Sequence, residues 1–144
     1  PVFRAGETYP MSPDISKDEA FQAWVAAPAA TYVAVDDENR ILGTYYIKPN
    51  RPALGAHVCN CGYIVAEQAR GQGVASELCR HSQREALAQG FRAMQFNLVV
   101  SSNEGAVRLW QSLGFEIVGT LPGAFRHSKR GYVDAYVMYK TLVG

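Results

Sequence analysis

The chain has 144 residues, 48% hydrophobic and 19% charged, and fourteen Lys and Arg against thirteen Asp and Glu leave a formal net charge of +1. That length buries a core without disulfide or metal staples and predicts one domain over residues 1–144. No apolar run approaches the roughly eighteen residues of a membrane span. A nearly neutral chain supplies no global field for nucleic acid or an anionic membrane, so neither is expected as a partner and any anion must be bound locally. Cys59, Cys61 and Cys79 lack the paired spacing of a zinc site, and with His57 and His81 they make no defensible ligand set. No metal is expected, and the thiols read as those of a reduced, cytoplasmic protein. Nothing near Pro1 resembles a signal peptide, and the chain reads as N-terminally trimmed.

After a Pro-punctuated opening, Ser16-Lys17-Asp18-Glu19 has the form of a capping box, which predicts a short helix carrying Phe21, Trp24 and Val25 and ending at Pro28. Residues 31–35 and 41–48, rich in β-branched and aromatic side chains around the polar turn 36–40, predict a hairpin. A third strand is predicted over 57–66, where Gly62 suggests a bulge or a close approach of another backbone or a ligand. Directly after it comes Arg70-Gly71-Gln72-Gly73-Val74-Ala75. A helix is predicted over 72–89, with Val74, Leu78, Cys79, Ala86 and Leu87 as its apolar stripe and Gly90 beyond its end.

Residues 92–100 predict a strand with Met94, Phe96, Leu98 and Val100 on one face and the polar Gln95 and Asn97 on the other. Asn103 is a good N-cap for a helix carrying Ala106, Leu109, Trp110 and Leu113 and closed by Gly114. Two last strands are predicted over 115–119 and 132–142 around a loop at 121–131. A right-handed crossover through helix 72–89 makes strands 57–66 and 92–100 parallel, whereas the hairpin and the last strands are antiparallel.

A glycine turn that opens a helix after a strand offers outward backbone N–H groups and the positive end of the helix dipole, which suits a phosphate. The pattern at Arg70–Ala75 is R-x-x-G-x-[GA] in outline and not a P-loop. An ordinary tight turn is the bland alternative. For Asn97 the bland reading is a sheet-edge hydrogen bond, for Trp110 it is core packing, and for Asp134 a pairing with a nearby Arg. His127, in a stretch of cationic neighbours, is a weak candidate for a base.

Taken together, Gly62 to Leu142 resembles the GNAT superfamily of N-acetyltransferases. The motif Asn103-x-x-Ala106-x-x-Leu109-Trp110-x-x-Leu113-Gly114-Phe115 stands where that superfamily has N-x-x-A-x-x-L-Y-x-x-L-G-F. The resemblance implies an α/β fold, a mixed central sheet splayed between two parallel strands with flanking helices. Because only about fifteen residues precede the capping box, it also implies that the family's first strand and helix are missing or incomplete here. It implies acetyl-CoA as cosubstrate. Arg70, Gly71, Gln72, Gly73, Val74 and Ala75 would hold the pyrophosphate, Tyr63, Ile64 and Val65 the pantetheine arm, and Asn103 would lie with the cofactor residues.

Phe96-Asn97-Leu98-Val99 with Tyr132-Val133-Asp134-Ala135 looks most like the enzymes that acetylate L-azetidine-2-carboxylate and other proline analogues. That likeness implies Asn97 as the residue that binds and orients a small-molecule amine, with Asp134 as a second catalytic candidate, and leaves a homodimer open. Trp110 replaces the family's usual acidic Tyr, and an indole N–H is no useful acid. A thiol of pKa about 8–9 leaves without full protonation, so the loss is tolerable. The alternatives are a CoA-binding module without turnover, a protein or peptide N-acetyltransferase, and a basic interaction loop built on Arg126, Lys129 and Arg130.

Overall fold

A computed structural model describes residues 1–144. In chain order the elements are α1 (Val2–Ala5), α2 (Lys17–Phe21), a π-helical turn (Gln22–Ala26), β1 (Ala30–Val35), β2 (Ile41–Pro49), β3 (Val58–Val65), α3 (Val74–Ala88), β4 (Ala93–Val100), α4 (Glu104–Ser112), β5 (Glu116–His127) and β6 (Gly131–Thr141). The strands make one mixed sheet in the order β1-β2-β3-β4-β6-β5, parallel only at β3/β4 among the registers described. The expected α/β architecture with a parallel pair is therefore present. None of the helices is long and apolar enough to cross a membrane.

Two compact units make up the fold, Gln22–Gln95 with Thr141–Gly144, and Pro1–Phe21 with Phe96–Lys140. In the first, β1, β2 and β3 form an antiparallel meander whose inward side chains, Tyr45, Ile47, Cys59 and Cys61, are buried, as are Leu78, Cys79, Ser82 and Ala86 of α3. Gly43 brings α3 close to β2, since a Cβ there would stand 2.9 Å from Leu78 Cδ1 and 3.1 Å from Val74 Cγ1. Leu87, assigned to the apolar stripe from its spacing, is exposed instead. Tyr45 Oη lies 2.6 Å from His81 Nδ1, and Tyr63 Oη 2.6 Å from Ser82 Oγ, so the seam between sheet and helix is polar and paired.

Gly62 marks no bulge, for the β2/β3 register runs unbroken through the Tyr46↔Gly62 pair. The glycine makes room for a ring: a Cβ at 62 would come within 2.6 Å of Tyr46 Cε2 and 3.1 Å of Trp24 Cη2. Trp24 and Tyr46 meet edge to face at 4.8 Å.

In the second unit, Ser16 Oγ accepts the Glu19 N–H at 3.1 Å, the first arm of the expected capping box, while the Glu19 carboxylate accepts from the Ser16 hydroxyl at 3.0 Å rather than from its backbone N–H. Phe96 stacks on Phe115 at 4.4 Å and packs against Trp110 at 5.2 Å, which makes Trp110 a core side chain. The expected loop at 121–131 is largely strand. β5 and β6 pair from Glu116↔Tyr139 to His127↔Gly131, with register shifts at Ile117/Gly119 and Leu121/Phe125. Pro122 and Gly123 are carried in the second of these, where no ladder N–H is required of a proline.

His127 is buried rather than in an exposed loop. Its Nδ1 accepts the N–H groups of Lys129 (3.0 Å) and Arg130 (3.2 Å), so the ring serves as the clasp of a tight turn.

Candidate active site

The glycine turn comes first because its geometry is set by backbone alone. Gly71 and Gly73 have φ of +77° and +79°, in the left-handed region where a side chain is strained. Around either Cα a Cβ would meet nothing within 4 Å, so the turn is open as well as glycine-dependent. Gly73 is the N-cap of α3 and offers no side-chain cap. The first N–H groups of a fifteen-residue helix are thus left to an outside acceptor, and the dipole favours an anion there. Arg70, Gly71, Gln72 and Gly73 are exposed, with Val74 and Ala75 half-buried behind them. Gln72 Nε2 donates to the Gln68 carbonyl at 3.3 Å, which ties the turn to the short 3-10 segment before it. These residues fit a pyrophosphate: a run of backbone donors at a helix start, a cationic Arg70 and no side chain near either glycine.

β3 leads into that turn, and its hydrogen bonding decides what its edge can offer. The Asn50 N–H donates to the Val58 carbonyl and the Ala66 N–H to the Leu42 carbonyl, each at 2.8 Å. Even-numbered residues of β3 therefore turn their backbone groups toward β2, and Cys61, Tyr63 and Val65 turn theirs the other way. Tyr63 and Val65 thus turn their backbone donors and acceptors away from β2, the orientation that the expected contact with a pantetheine arm requires. Ile64 has its backbone committed toward β2, opposite Thr44, so only its side chain is available. The phenol of Tyr63 is spent on Ser82 and lies 3.6 Å from Met94 Sδ.

Beside it the parallel ladder pairs Val58↔Ala93 and Cys59↔Met94. At the following step a side chain takes over, as Asn60 Nδ2 donates to the Gln95 carbonyl at 2.9 Å and Tyr46 Oη donates to Asn60 Oδ1 at 3.1 Å. Asn60 is one of few buried polar residues. Sequence reasoning passed over it; a lone amide between two cysteines of an otherwise buried strand was the available signal.

The remaining sequence-predicted residues lie in the other unit. On β4 Asn97 is exposed, between the buried Phe96 and the buried Val99 and Val100 farther along. Asn103 accepts the Ala106 N–H at 3.4 Å as the N-cap of α4, the capping role its position suggested. Asp134 is exposed on β6, and its Oδ1 accepts the Gly123 N–H at 2.9 Å. One carboxylate oxygen is thereby engaged in holding the β5 irregularity, a partner no Arg-pairing argument anticipated.

Residues 4–115 match the acetyltransferase (GNAT) family. The N-acetyltransferase aca1 of Schizosaccharomyces pombe is 32% identical over 148 residues, an alignment that spans 92% of this chain and 71% of that protein. Among solved structures, a GCN5-related N-acetyltransferase from Kribbella flavida superimposes with a TM-score of 0.91 at 44% identity, over 97% of this chain and 85% of its own. An N-acetyltransferase from Staphylococcus aureus Mu50 gives 0.71 at 26% identity, over 78% and 67%.

Proposed function

The chain belongs to the acetyltransferase (GNAT) family and is an acetyl-CoA-dependent N-acetyltransferase; on that premise we propose that its acceptor is the amine of a small molecule, an amino acid or a proline-like imino acid. In this reading residues 1–144 act as a single catalytic domain. The observation that carries it is Asn97, an amide held exposed on a strand that is otherwise largely buried. A carboxamide carries both an acceptor and donors, which suit an amine N–H and a carboxylate oxygen of one small zwitterion.

Acetyl-CoA supplies the acetyl group as a thioester. The N–H groups at Gly71–Ala75 and the Arg70 guanidinium hold its pyrophosphate, and the edge groups of Tyr63 and Val65 hold its pantetheine arm. The Val65 N–H polarises the acetyl carbonyl, a contribution on the order of 3 kcal/mol for one well-placed donor. Asn97 orients the amine for attack, so catalysis is mainly positioning. Asp134 attracts the ammonium form with its free oxygen, and the proton leaves through that carboxylate or through water.

Direct attack is favoured over an acetyl-enzyme because all three thiols are buried. Burial also pushes the Cys61 thiol well above its ordinary pKa, away from the thiolate a nucleophile requires. The test is CoA release on a panel of free amino acids, imino acids, polyamines and a histone-type peptide. Turnover concentrated on amino or imino acids supports the reading. Turnover on the peptide alone replaces it with a protein acetyltransferase, and acetyl-CoA binding without release on any amine replaces it with a binding module.

A further inference from the structure

We propose that Asn60 is a positioning residue that ends the β3/β4 ladder and so sets the edge of β3 on which acetyl-CoA is read. The proposal rests on the reading of Tyr63 and Val65 given above and adds the residue that makes their edge usable.

In the parallel pair, the Val58↔Ala93 and Cys59↔Met94 bridges commit the Gln95 N–H to the Cys59 carbonyl. A ladder that simply continued would next give the Cys61 N–H to the Gln95 carbonyl. That rung is absent from the register, and the Gln95 carbonyl receives Asn60 Nδ2 instead, at 2.9 Å. A carbonyl can only accept, so the nitrogen of the amide must face Gln95 and the oxygen is left for Tyr46 Oη at 3.1 Å.

The amide is over-determined from behind. Tyr46 lies against Gly62, where any Cβ would collide with its ring, and Trp24 meets that ring edge to face and also borders Gly62. Trp24 is itself held, with Nε1 donating to Thr44 Oγ1 at 3.3 Å and its carbonyl accepting from Thr31 Oγ1 at 2.7 Å. Asn60, Tyr46, Gly62 and Trp24 thus form one braced unit. Its outer end satisfies a carbonyl that would otherwise pull the edge of β3 into another rung.

A buried amide costs free energy unless both ends are paired, and both are paired here. Removing it as a mere core residue would loosen both strands. Removing it as a wedge has the opposite local effect, because the Gln95 carbonyl becomes open to the Cys61 N–H and the ladder closes by one step. The two roles therefore predict opposite signs for hydrogen exchange at Cys61.

The experiment compares wild type with Asn60→Ala and Tyr46→Phe, the second of which keeps the ring and loses only the hydroxyl that orients the amide. Amide exchange is read at residue 61 without ligand, and acetyl-CoA Kd is read by calorimetry. Asp36→Ala, at the exposed β1/β2 turn where the carboxylate caps Glu38 and Arg40 N–H groups, serves as a control destabilised away from the edge.

In Asn60→Ala, exchange at Cys61 is expected to slow and acetyl-CoA Kd to rise at least tenfold. Tyr46→Phe should shift both in the same direction by about threefold, and Asp36→Ala should leave Kd within twofold. Faster or unchanged exchange at Cys61 in both edge variants overturns the wedge, as does an unchanged Kd in both. Should Asn60→Ala fail to fold, the Tyr46→Phe pair of readouts decides alone. If wild type itself binds no acetyl-CoA, the functional reading fails while the exchange result still judges the role of Asn60 in the ladder.

Discussion

The glycine turn before α3 and the polar positions of β4 and β6 are built on different principles. At Gly71 and Gly73 the proposed binding falls to backbone N–H groups, so the sequence must specify only what is absent, a side chain at two left-handed positions. At Asn97 and Asp134 the proposed roles reside in side chains, and each has to be weighed against structural employment. Asp134 shows the difficulty, since its carboxylate staples Gly123 whatever else it does. A backbone site announces itself by spacing, whereas a side-chain site depends on knowing every neighbour.

Substitution separates the two kinds of site, and the largest effect is expected at Asn97. Asn97→Ala should lower turnover by roughly a hundredfold while acetyl-CoA affinity stays within twofold, because a group that fixes reaction geometry acts on kcat and not on cosubstrate binding. Calorimetry beside a thiol-release assay reads both. A lowered melting temperature with normal turnover per folded molecule would make Asn97 a packing residue and remove the proline-analogue likeness with it.

Next in size is Gly73→Val, for which acetyl-CoA binding should weaken at least tenfold. No protein atom stands within 4 Å of the added Cβ, so the loss comes from two other causes. One is the strain of a β-branched residue at φ of +79°. The second is bulk placed where the phosphates approach. Unchanged affinity in a folded variant would leave the turn an ordinary strand-to-helix connection.

Much of the fold was legible because its signals are local. The helix caps at Ser16 and Asn103 accept the N–H three residues on as their residue types dictate, and the strands begin and end within about two residues of their hydrophobic runs through β4. α3 starts at Val74 rather than two residues earlier because the chain spends Gly71 and Gly73 on left-handed turns first. The 121–131 segment was misread for the converse reason. Pro122 and Gly123 are genuine breakers locally, and only pairing with β6 and the Asp134 staple hold them in a strand, whereas 128–130 is a turn, closed by the His127 clasp. Asn60 was missed because alternation places a side chain on a face and says nothing of one that reaches sideways to the next strand.

Asp134 is where the comparison can be sharpened within one residue. Asp134→Asn keeps an oxygen for the Gly123 N–H and removes the charge, whereas Asp134→Ala removes both. If the charge draws in an ammonium substrate, Asp134→Asn should raise the KM for the amine severalfold with the melting temperature nearly unchanged. Asp134→Ala should add a loss of a few degrees for the missing hydrogen bond. Equal KM values for wild type and Asp134→Asn would reduce Asp134 to its structural role.

The smallest expected effect belongs to the buried thiol and phenols of β2 and β3 and is a matter of pH. Burial, with Cys59 as a close neighbour, raises the Cys61 thiol above its ordinary value of 9.0. Burial likewise pushes Tyr46 up to about 12 and raises Tyr63. Each is an acid whose neutral form the folded state favours, so the unfolded chain ionises first as pH rises. The stabilisation is whole below the ordinary thiol pKa and is lost as pH climbs from there through the raised folded values. Melting temperature should accordingly be flat up to about pH 8.5 on this account and fall beyond it, with the thiol acting first and the tyrosines above their ordinary value of 10.0. Cys61→Ala should remove the part of the slope that begins near pH 9 and leave the later part. Because the smaller side chain also costs some packing, the comparison is between slopes and not between absolute temperatures. An identical slope in the two proteins would mean that Cys61 ionises as readily in the fold as out of it, which a thiol sealed between sheet and helix should not do.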